Sequence, residues 1–219
     1  MGDTGPLVVL SHGWGDTSAT WDAQVPVLSR RARVVRWDLL GHGRSDAPDD
    51  PAAYSRERAL ADLEALVADE PTAVLIGHSF GGQLSLAFAL RYPGRVAGLG
   101  LVATGPGYRD AAGRDEWNRG VEHRARQCEG EGQRPLAHAI RGFVTQHDSS
   151  IMDGAPSIDA PTTVIVGAKD RPFLAAADWF ERKLPRVTKI VVDDAGHAVQ
   201  AHQPESVNKG LSALLDATS

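Results

Sequence analysis

Ser79 lies at the centre of Gly77-His78-Ser79-Phe80-Gly81, which has the G-x-S-x-G spacing of a nucleophilic serine. The motif follows the apolar run 74–76, typical of a strand covered on both faces, and precedes a helical pattern over 81–91. A tight turn between such elements can hold a serine hydroxyl above a sheet, and it requires small neighbours because little space surrounds it. We therefore predict that Ser79 is a nucleophile; the alternative is a glycine-rich turn whose serine has no chemical role.

A serine hydroxyl is a weak nucleophile until a base removes its proton, so a histidine must lie nearby. Of the eight histidines, His197 lies on a loop between the last apolar run and the last helical pattern. Parallel-sheet enzymes build their sites from loops at the carboxyl ends of strands, where Ser79 is also expected. We predict that His197 is the base, whereas His12, His42 and His78 lie in glycine-rich turns and are expected to orient the backbone.

The base needs a carboxylate that holds its tautomer and stabilises the imidazolium. Asp170 follows an apolar run and lies in the chain between Ser79 and His197. Serine, aspartate, histidine is one of the chain orders in which nucleophilic triads occur. We predict that Asp170 is the acid. Asp193 and Asp194 are the alternatives, but they precede the histidine so closely that they would have to fold back on it.

Acyl transfer develops a negative charge on an oxygen, which preorganised N–H groups must stabilise. The backbone N–H of Phe80, directly after the predicted nucleophile, is one expected donor. The loop after the first apolar run, 12–15, is expected to supply the other, and we predict the N–H of Trp14. The alternative is that this loop serves only as a turn between a strand and a helix.

The elements that must position these residues form a regular alternation of short β-branched runs and longer amphipathic segments. This alternation predicts an α/β fold, with a mostly parallel sheet of about six strands and helices on both faces. A length of 219 residues favours one sizeable domain, which we assign to residues 1–104 and 158–219. The runs that predict the strands are 7–10, 34–38, 74–76, 96–102, 162–166 and 189–192.

The alternation stops between the two parts of this domain, where residues 105–157 show no strand pattern. We predict that they form a short helical insertion over the edge of the sheet; the alternative is a disordered linker. A weaker helical pattern contains Trp117 and Val121. The stronger pattern has apolar residues at helical spacing, namely Leu136, Ile140, Phe143 and Val144.

The composition excludes several classes of protein. A net charge of −5 is opposite in sign to that of a general nucleic-acid binder. The single cysteine, Cys128, rules out an internal disulfide and a cysteine-based metal cluster. No apolar run approaches the roughly 20 residues that span a bilayer, and the first residues lack the pattern of a signal peptide. We therefore expect a cytoplasmic protein with no nucleic-acid or membrane partner.

Taken together, the motifs resemble those of the α/β-hydrolase fold superfamily, in particular its small serine esterases, lactonases and cofactor-free haloperoxidase-like enzymes. A serine at the elbow distinguishes the chain from the related dehalogenases, which resemble this pattern but carry an aspartate there. The pieces that carry the resemblance extend over nearly the whole chain; they are 11–15, 37–45, 77–82, 167–170, 196–197 and 203–205.

The resemblance implies a nucleophile, acid and base at Ser79, Asp170 and His197, with oxyanion donors at Trp14 and Phe80. Two features depart from the family. The family's sheet usually begins with an antiparallel hairpin, whereas here residue 7 already belongs to the first parallel strand. The helical insertion, which sets much of the substrate choice, is shorter than usual.

We accordingly expect a serine hydrolase that cleaves a small carboxylic ester or lactone through an acyl-enzyme, with no metal or organic cofactor. The charged insertion favours short- to medium-chain substrates in solution and no activation at a lipid interface. One alternative keeps the triad for thioester hydrolysis, carbon–carbon bond cleavage or perhydrolysis. Another is a ligand receptor on the same fold. The sequence carries no indication of the oligomeric state.

Overall fold

Six parallel strands form the centre of the computed structural model, which describes residues 5–218. Every neighbouring pair is parallel, and the strands lie in the order β2-β1-β3-β4-β5-β6. The predicted fold class and the strand number are therefore confirmed. In chain order the strands are β1 Leu7–Ser11, β2 Arg33–Trp37, β3 Ala73–His78, β4 Val96–Val102, β5 Thr162–Gly167 and β6 Val187–Val192.

Helices connect these strands and cover both faces of the sheet, as the alternation of patterns predicts. None of the helices within residues 5–218 has the length and apolar character needed to cross a bilayer. In chain order the α-helices are α1 Val25–Leu28, α2 Arg56–Leu66, α3 Phe80–Arg91, α4 Ala111–Gly130, α5 Arg134–Ala139, α6 Ser150–Gly154, α7 Arg171–Lys183, α8 Val199–His202 and α9 Pro204–Ala217.

Alternate residues of each inner strand point into two separate cores. On one face Leu75 of β3 packs in a cluster with residues of α2, α3 and α7, and on the other Ile76 packs with residues of α1 and α9. Every residue of β1, β3 and β5 is buried, because helices cover both sides of these strands. A rigid sheet therefore presents the carboxyl ends of β1, β3, β5 and β6 at one edge.

Residues 105–157, which we call the helical insertion, contain α4, α5, a π-helix Ile140–Val144 and α6. The sequence pattern favoured the segment 136–144, but α4, with 20 residues, is the longer helix. Its buried residues are only Val121, Ala125 and Cys128. Such a narrow apolar stripe on a largely charged helix gives a weak periodic signal, although it packs against α5 and the π-helix.

Candidate active site

The turn at Ser79 joins β3 to α3 in a strained conformation. Its φ of +51° lies in a region that is costly for residues with a side chain. Two contacts with the end of β4 hold it there: the Ser79 N–H donates to the Val102 carbonyl at 2.9 Å, and the Thr104 hydroxyl donates to the Ser79 carbonyl at 2.6 Å. Strain of this kind persists where the surroundings over-determine the backbone, and it is concentrated at functional sites.

The glycines around this turn are required by close backbone contacts. A Cβ at Gly77 would overlap the backbone of Gly81, and a Cβ at Gly81 would overlap the carbonyl of Ser11. A Cβ at Gly82 would lie 2.6 Å from the Thr104 methyl carbon. The spacing recognised in the sequence therefore has a steric cause, since β1, α3 and the end of β4 all approach the serine.

The loop after β1 lies directly against the serine. A Cβ at Gly13 would be 3.0 Å from the Ser79 Cβ and 2.9 Å from His78 Nδ1. Within residues 5–218 neither the Trp14 N–H nor the Phe80 N–H has a hydrogen-bond partner, and both residues line a cavity together with Ser79. Two residues with unpartnered N–H donors thus line the cavity together with Ser79.

Two buried histidines fix this loop through the backbone. His12 Nδ1 lies 2.7 Å from the Gly13 carbonyl oxygen, and His12 Nε2 accepts from the Leu39 N–H at 3.0 Å. His42 likewise accepts from the Gly15 N–H at 3.0 Å. Each ring uses one nitrogen as an acceptor, so each is neutral. Burial lowers the pKa of both rings. Because protonating His42 as well as His12 would place two positive charges close together, the pKa of His42 is lowered to about 4.

His197 and Asp170 are brought together by the loops after β6 and β5. His197 Nδ1 lies 2.8 Å from Asp170 Oδ2, and the Asp170 side chain is only 6% exposed. The alternative acid Asp194 instead pairs with Lys169 at 3.0 Å, in a contact whose two side chains are mostly exposed. The carboxylate that orients the His197 ring is therefore Asp170. Asp193 has an exposed position next to Asp194.

The ring of His78 contacts the loop that carries His197. His78 Nε2 lies 3.0 Å from the His197 carbonyl oxygen and donates to it, and the two rings lie 4.8 Å apart. Complete burial, together with the repulsion that would arise if both this ring and that of His197 were protonated, lowers the pKa of His78 to about 4. His78 is therefore a neutral donor that holds the loop backbone in place.

Ser79 and His197 line the same cavity, which has a volume of about 430 Å³. The Ser79 hydroxyl makes no hydrogen bond within the described part of the chain. Contacts between a nucleophile and its base are often long in unliganded sites and tighten when substrate binds. No group of three or more side chains suited to a metal ion occurs within residues 5–218.

The rest of the cavity wall comes from residues that the sequence motifs did not identify. Phe173, at the start of α7, packs its ring 4.7 Å from that of His197. Gln83 lies in the first turn of α3, where its backbone N–H donates to the Ser79 carbonyl at 3.3 Å, and this closeness to Ser79 along the chain could have identified it. Thr104 lies two residues after the end of β4. The remaining wall is mostly apolar and comes from the insertion: Trp117, Gly120, Val121, Ile140 and Val144.

Comparisons with known proteins agree with this architecture. Residues 6–141 match the family described as alpha/beta hydrolase fold. A putative 2-succinyl-6-hydroxy-2,4-cyclohexadiene-1-carboxylate synthase of Bacillus subtilis (strain 168) is 28% identical, over 98% of this chain and 93% of the relative.

Two solved structures match over nearly their whole length. A thermophilic esterase from Thermogutta terrifontis has a TM-score of 0.82 at 27% identity, covering 99% of this chain and 92% of the esterase. MenH from S. aureus has a TM-score of 0.88 at 19% identity, covering 99% of this chain and 95% of that one.

Proposed function

The chain belongs to the α/β-hydrolase fold family, and we propose that it is a serine hydrolase that cleaves a carboxylic ester or lactone through an acyl-enzyme. In this proposal Ser79 is the nucleophile, His197 is the base and Asp170 is the acid. The backbone N–H groups of Trp14 and Phe80 form the oxyanion hole. Residues 105–157 act as a cap over the core domain of residues 1–104 and 158–219.

The reaction has two steps. His197 Nε2 takes the proton of the Ser79 hydroxyl as Oγ attacks the carbonyl carbon, and the resulting oxyanion accepts from the two free N–H groups. The same nitrogen then returns the proton to the leaving oxygen, and the acyl-enzyme forms. Water, activated by His197 in the same way, attacks the acyl group and releases the acid. Asp170 keeps Nδ1 protonated and stabilises the imidazolium in both steps.

The observation that carries this proposal is the pair of unpartnered N–H groups beside Ser79. A receptor needs no preorganised site for an oxyanion, whereas acyl transfer depends on one, and losing a single donor typically costs about 100- to 1,000-fold in rate. A hydrolase therefore accounts for both the strained serine and the unpaired donors, which a receptor would leave without a role.

The reaction named for the B. subtilis relative is a second candidate, which the length of that alignment favours. The compound in that name carries carboxylate groups, and cationic side chains are the usual partners of carboxylates. None of the residues that line this cavity within the described chain is Lys or Arg. The Arg124 guanidinium stacks on the Trp14 ring, 5.5 Å from its centroid, and is not part of the cavity wall. A neutral ester or lactone fits the wall better.

The surface of the insertion supports a substrate in solution. Along α4 the charged side chains form ion pairs such as Arg126–Glu122, at 2.9 Å. The exposed large hydrophobic residues within residues 5–218 are only Tyr108 and Val191. An interfacial lipase needs a broad apolar surface instead. We therefore expect no jump in rate when an ester exceeds its solubility limit.

Labelling with a fluorophosphonate tests the proposal. The probe should phosphonylate the native protein once, on the peptide that contains Ser79, and mass spectrometry of the digest locates the added group. Unfolded protein and the Ser79→Ala variant are the controls and should not be labelled. An unlabelled native protein, or a label on another serine, would contradict the proposal. A panel of esters, lactones and thioesters then distinguishes ester hydrolysis from the other reactions of such triads.

A further inference from the structure

A second cavity, of about 230 Å³, adjoins the one that contains Ser79. Gln83, Trp117 and Phe173 line both cavities, so these three side chains form the boundary between them. The far walls come from the loop that follows β4, from the insertion and from α7. The two cavities are therefore neighbours, and a group attached to a carbonyl at Ser79 would reach the second cavity by passing these three side chains.

The walls of the second cavity suit an apolar group of moderate size. Trp117, Phe173 and Trp179 supply aromatic surface, and the small side chains of Ala175 and Ala176 leave the space open. A cavity of about 150 Å³ with apolar walls is large enough to bind benzene. A volume of 230 Å³ therefore accommodates a group of about six carbon atoms.

Two buried amides add a specific polar contact to this apolar space. Gln83 Nε2 donates to the Gly105 carbonyl at 3.2 Å, and Gln146 Oε1 accepts from the Tyr108 N–H at 3.0 Å. The other atom of each amide, Gln83 Oε1 and Gln146 Nε2, has no partner within residues 5–218. Both residues line the second cavity and are only 8% and 5% exposed, so these two unpartnered atoms have restricted access to water.

The position of Gln146 is fixed independently of any ligand. Its backbone N–H donates to the Asn118 side chain, and its carbonyl accepts from the same amide, both at 2.9 Å. The free N–H₂ group of Gln146 is therefore preorganised rather than mobile, and binding to it costs little conformational entropy.

The distance from the serine to the boundary sets the length of the substrate. Gln83 lies one helical turn beyond Ser79, because its backbone N–H donates to the Ser79 carbonyl at 3.3 Å, and one turn advances about 5.4 Å along the axis of α3. Three consecutive single bonds span about 3.5 Å, so about five bonds from the carbonyl reach the second cavity.

We propose that the second cavity is a specificity subsite for the part of the substrate remote from the scissile carbonyl. It takes an apolar group of about six carbon atoms that carries an amide or hydroxyl, which pairs with Gln83 Oε1 and Gln146 Nε2. This inference rests on the proposed function, because it assumes that an acyl or alcohol group is attached at Ser79.

The test compares esters of equal length. p-Nitrophenyl 4-acetamidobutanoate carries an amide at the required distance, p-nitrophenyl heptanoate is its apolar isostere, and p-nitrophenyl acetate is the short reference. The acetate esters of the corresponding alcohols form a second series, which shows whether the acyl or the alcohol side enters the subsite. In one of the two series kcat/KM should favour the amide over its isostere by about fivefold, the value of one hydrogen bond.

Two substitutions fill the subsite and one changes its polar contact. Ala176→Leu and, at an exposed position, Ala175→Leu should lower the ratio of long-ester to acetate kcat/KM by about tenfold. Gln146→Glu keeps the acceptor for the Tyr108 N–H but loses the donor, so the preference for the amide should disappear. Ala61→Leu, exposed on α2 and outside both cavities, is the matched control and should keep the wild-type ratios.

The outcomes separate this inference from the proposed function. If the wild type hydrolyses the acetate but all variants keep its ratios in both series, the second cavity is not a subsite and the hydrolase proposal stands. If the wild type hydrolyses no ester of either series, both proposals fail. The subsite is supported if the ratio of long-ester to acetate kcat/KM falls in Ala176→Leu and stays at the wild-type value in Ala61→Leu.

Discussion

The loops at the carboxyl edge of the sheet and the helical insertion face each other across one cavity but are held by different interactions. In the loops, backbone lies against backbone at Gly77 and Gly81, and buried neutral histidines bind main-chain groups. In the insertion, a small apolar stripe and partly exposed ion pairs hold the helices. An example is the 2.8 Å contact between Arg141 and Glu122.

This difference determines what each region can change. An added methyl group at Gly77 or Gly81 would overlap backbone, which cannot move without displacing Ser79. In the insertion the ion pairs join long, flexible side chains, and isolated surface ion pairs contribute at most about 1 kcal/mol each. In the proposed function the chemistry depends on the geometry of the loops, whereas the shape of the cavity, and with it the substrate range, depends on the insertion.

Removing the nucleophile should give the largest effect. Ser79→Ala deletes only the attacking oxygen, so kcat for p-nitrophenyl acetate should fall by about 10⁵-fold or more, with the melting temperature nearly unchanged. Ser85→Ala, on the adjoining helix α3, is the control, because the Ser85 hydroxyl only donates to the Gly81 carbonyl at 2.9 Å. If the Ser79 variant keeps more than about a tenth of the activity, the assignment of the nucleophile is wrong.

Substitution of the proposed acid, Asp170, should give the second-largest loss of activity. Asp170→Asn favours the wrong tautomer of His197, and we expect kcat to fall by about 10⁴-fold with little change in KM. Asp194→Asn removes only the exposed contact with Lys169 and should keep most of the activity. Steady-state kinetics of both variants on one ester make the comparison. A larger loss in the Asp194 variant would transfer the role of acid to that residue.

A pair of glycine substitutions compares the two regions directly. In Gly13→Ala the new Cβ would meet His78 and Ser79, displace the Trp14 N–H and lower kcat by about 100-fold, the usual cost of losing one oxyanion donor. At Gly120 in α4 a Cβ would have no atom within 4 Å, so Gly120→Ala should stabilise the helix by about 1 kcal/mol. Kinetics and thermal unfolding of both variants test this contrast. Equal effects of the two substitutions would remove the distinction between the regions.

The pH dependence of stability should give the smallest effect. The loops and the insertion should lose stability in different pH ranges. The pKa values of His42 and His78 are lowered to about 4, so the folded loops bind fewer protons than the unfolded chain as pH falls from 6.5 towards 4. For each of these two histidines, the free energy of unfolding therefore falls by roughly 1 kcal/mol for every unit by which the pH is lowered within that range. Glu122 has a pKa of about 2, lowered by hydrogen bonds from Arg141 and Arg126. Its contribution is lost only below about pH 4.5.

Urea unfolding at several pH values between 7 and 4.5 measures this slope. His78→Asn should flatten it, since one buried neutral histidine is removed, whereas Glu122→Gln should leave it unchanged over the same range. If the slope is the same in His78→Asn as in the wild type, His78 is not a source of the acid sensitivity, and if it is also unchanged in His42→Asn, the loops are not its source.

Much of the fold could be predicted from the chain because its signals are local. β-Branched runs bounded by turns identified all six strands, and the spacing of glycines around Ser79 identified the turn. The insertion was harder to predict. The apolar stripe of α4 is narrow and its polar face is wide, so this helix of 20 residues produced a weaker pattern than the segment 136–144.

By itself the sequence determined which chemical groups follow which strands. In a parallel sheet the carboxyl ends meet at one edge, so Ser79, Asp170 and His197 had to approach one another once the strands were recognised. Only the tertiary structure decided that Asp170 rather than Asp194 contacts His197, that the Trp14 and Phe80 N–H groups lack partners within residues 5–218, and that a second cavity lies beyond Gln83. These are distances between segments far apart in the chain, and packing of the whole domain sets them.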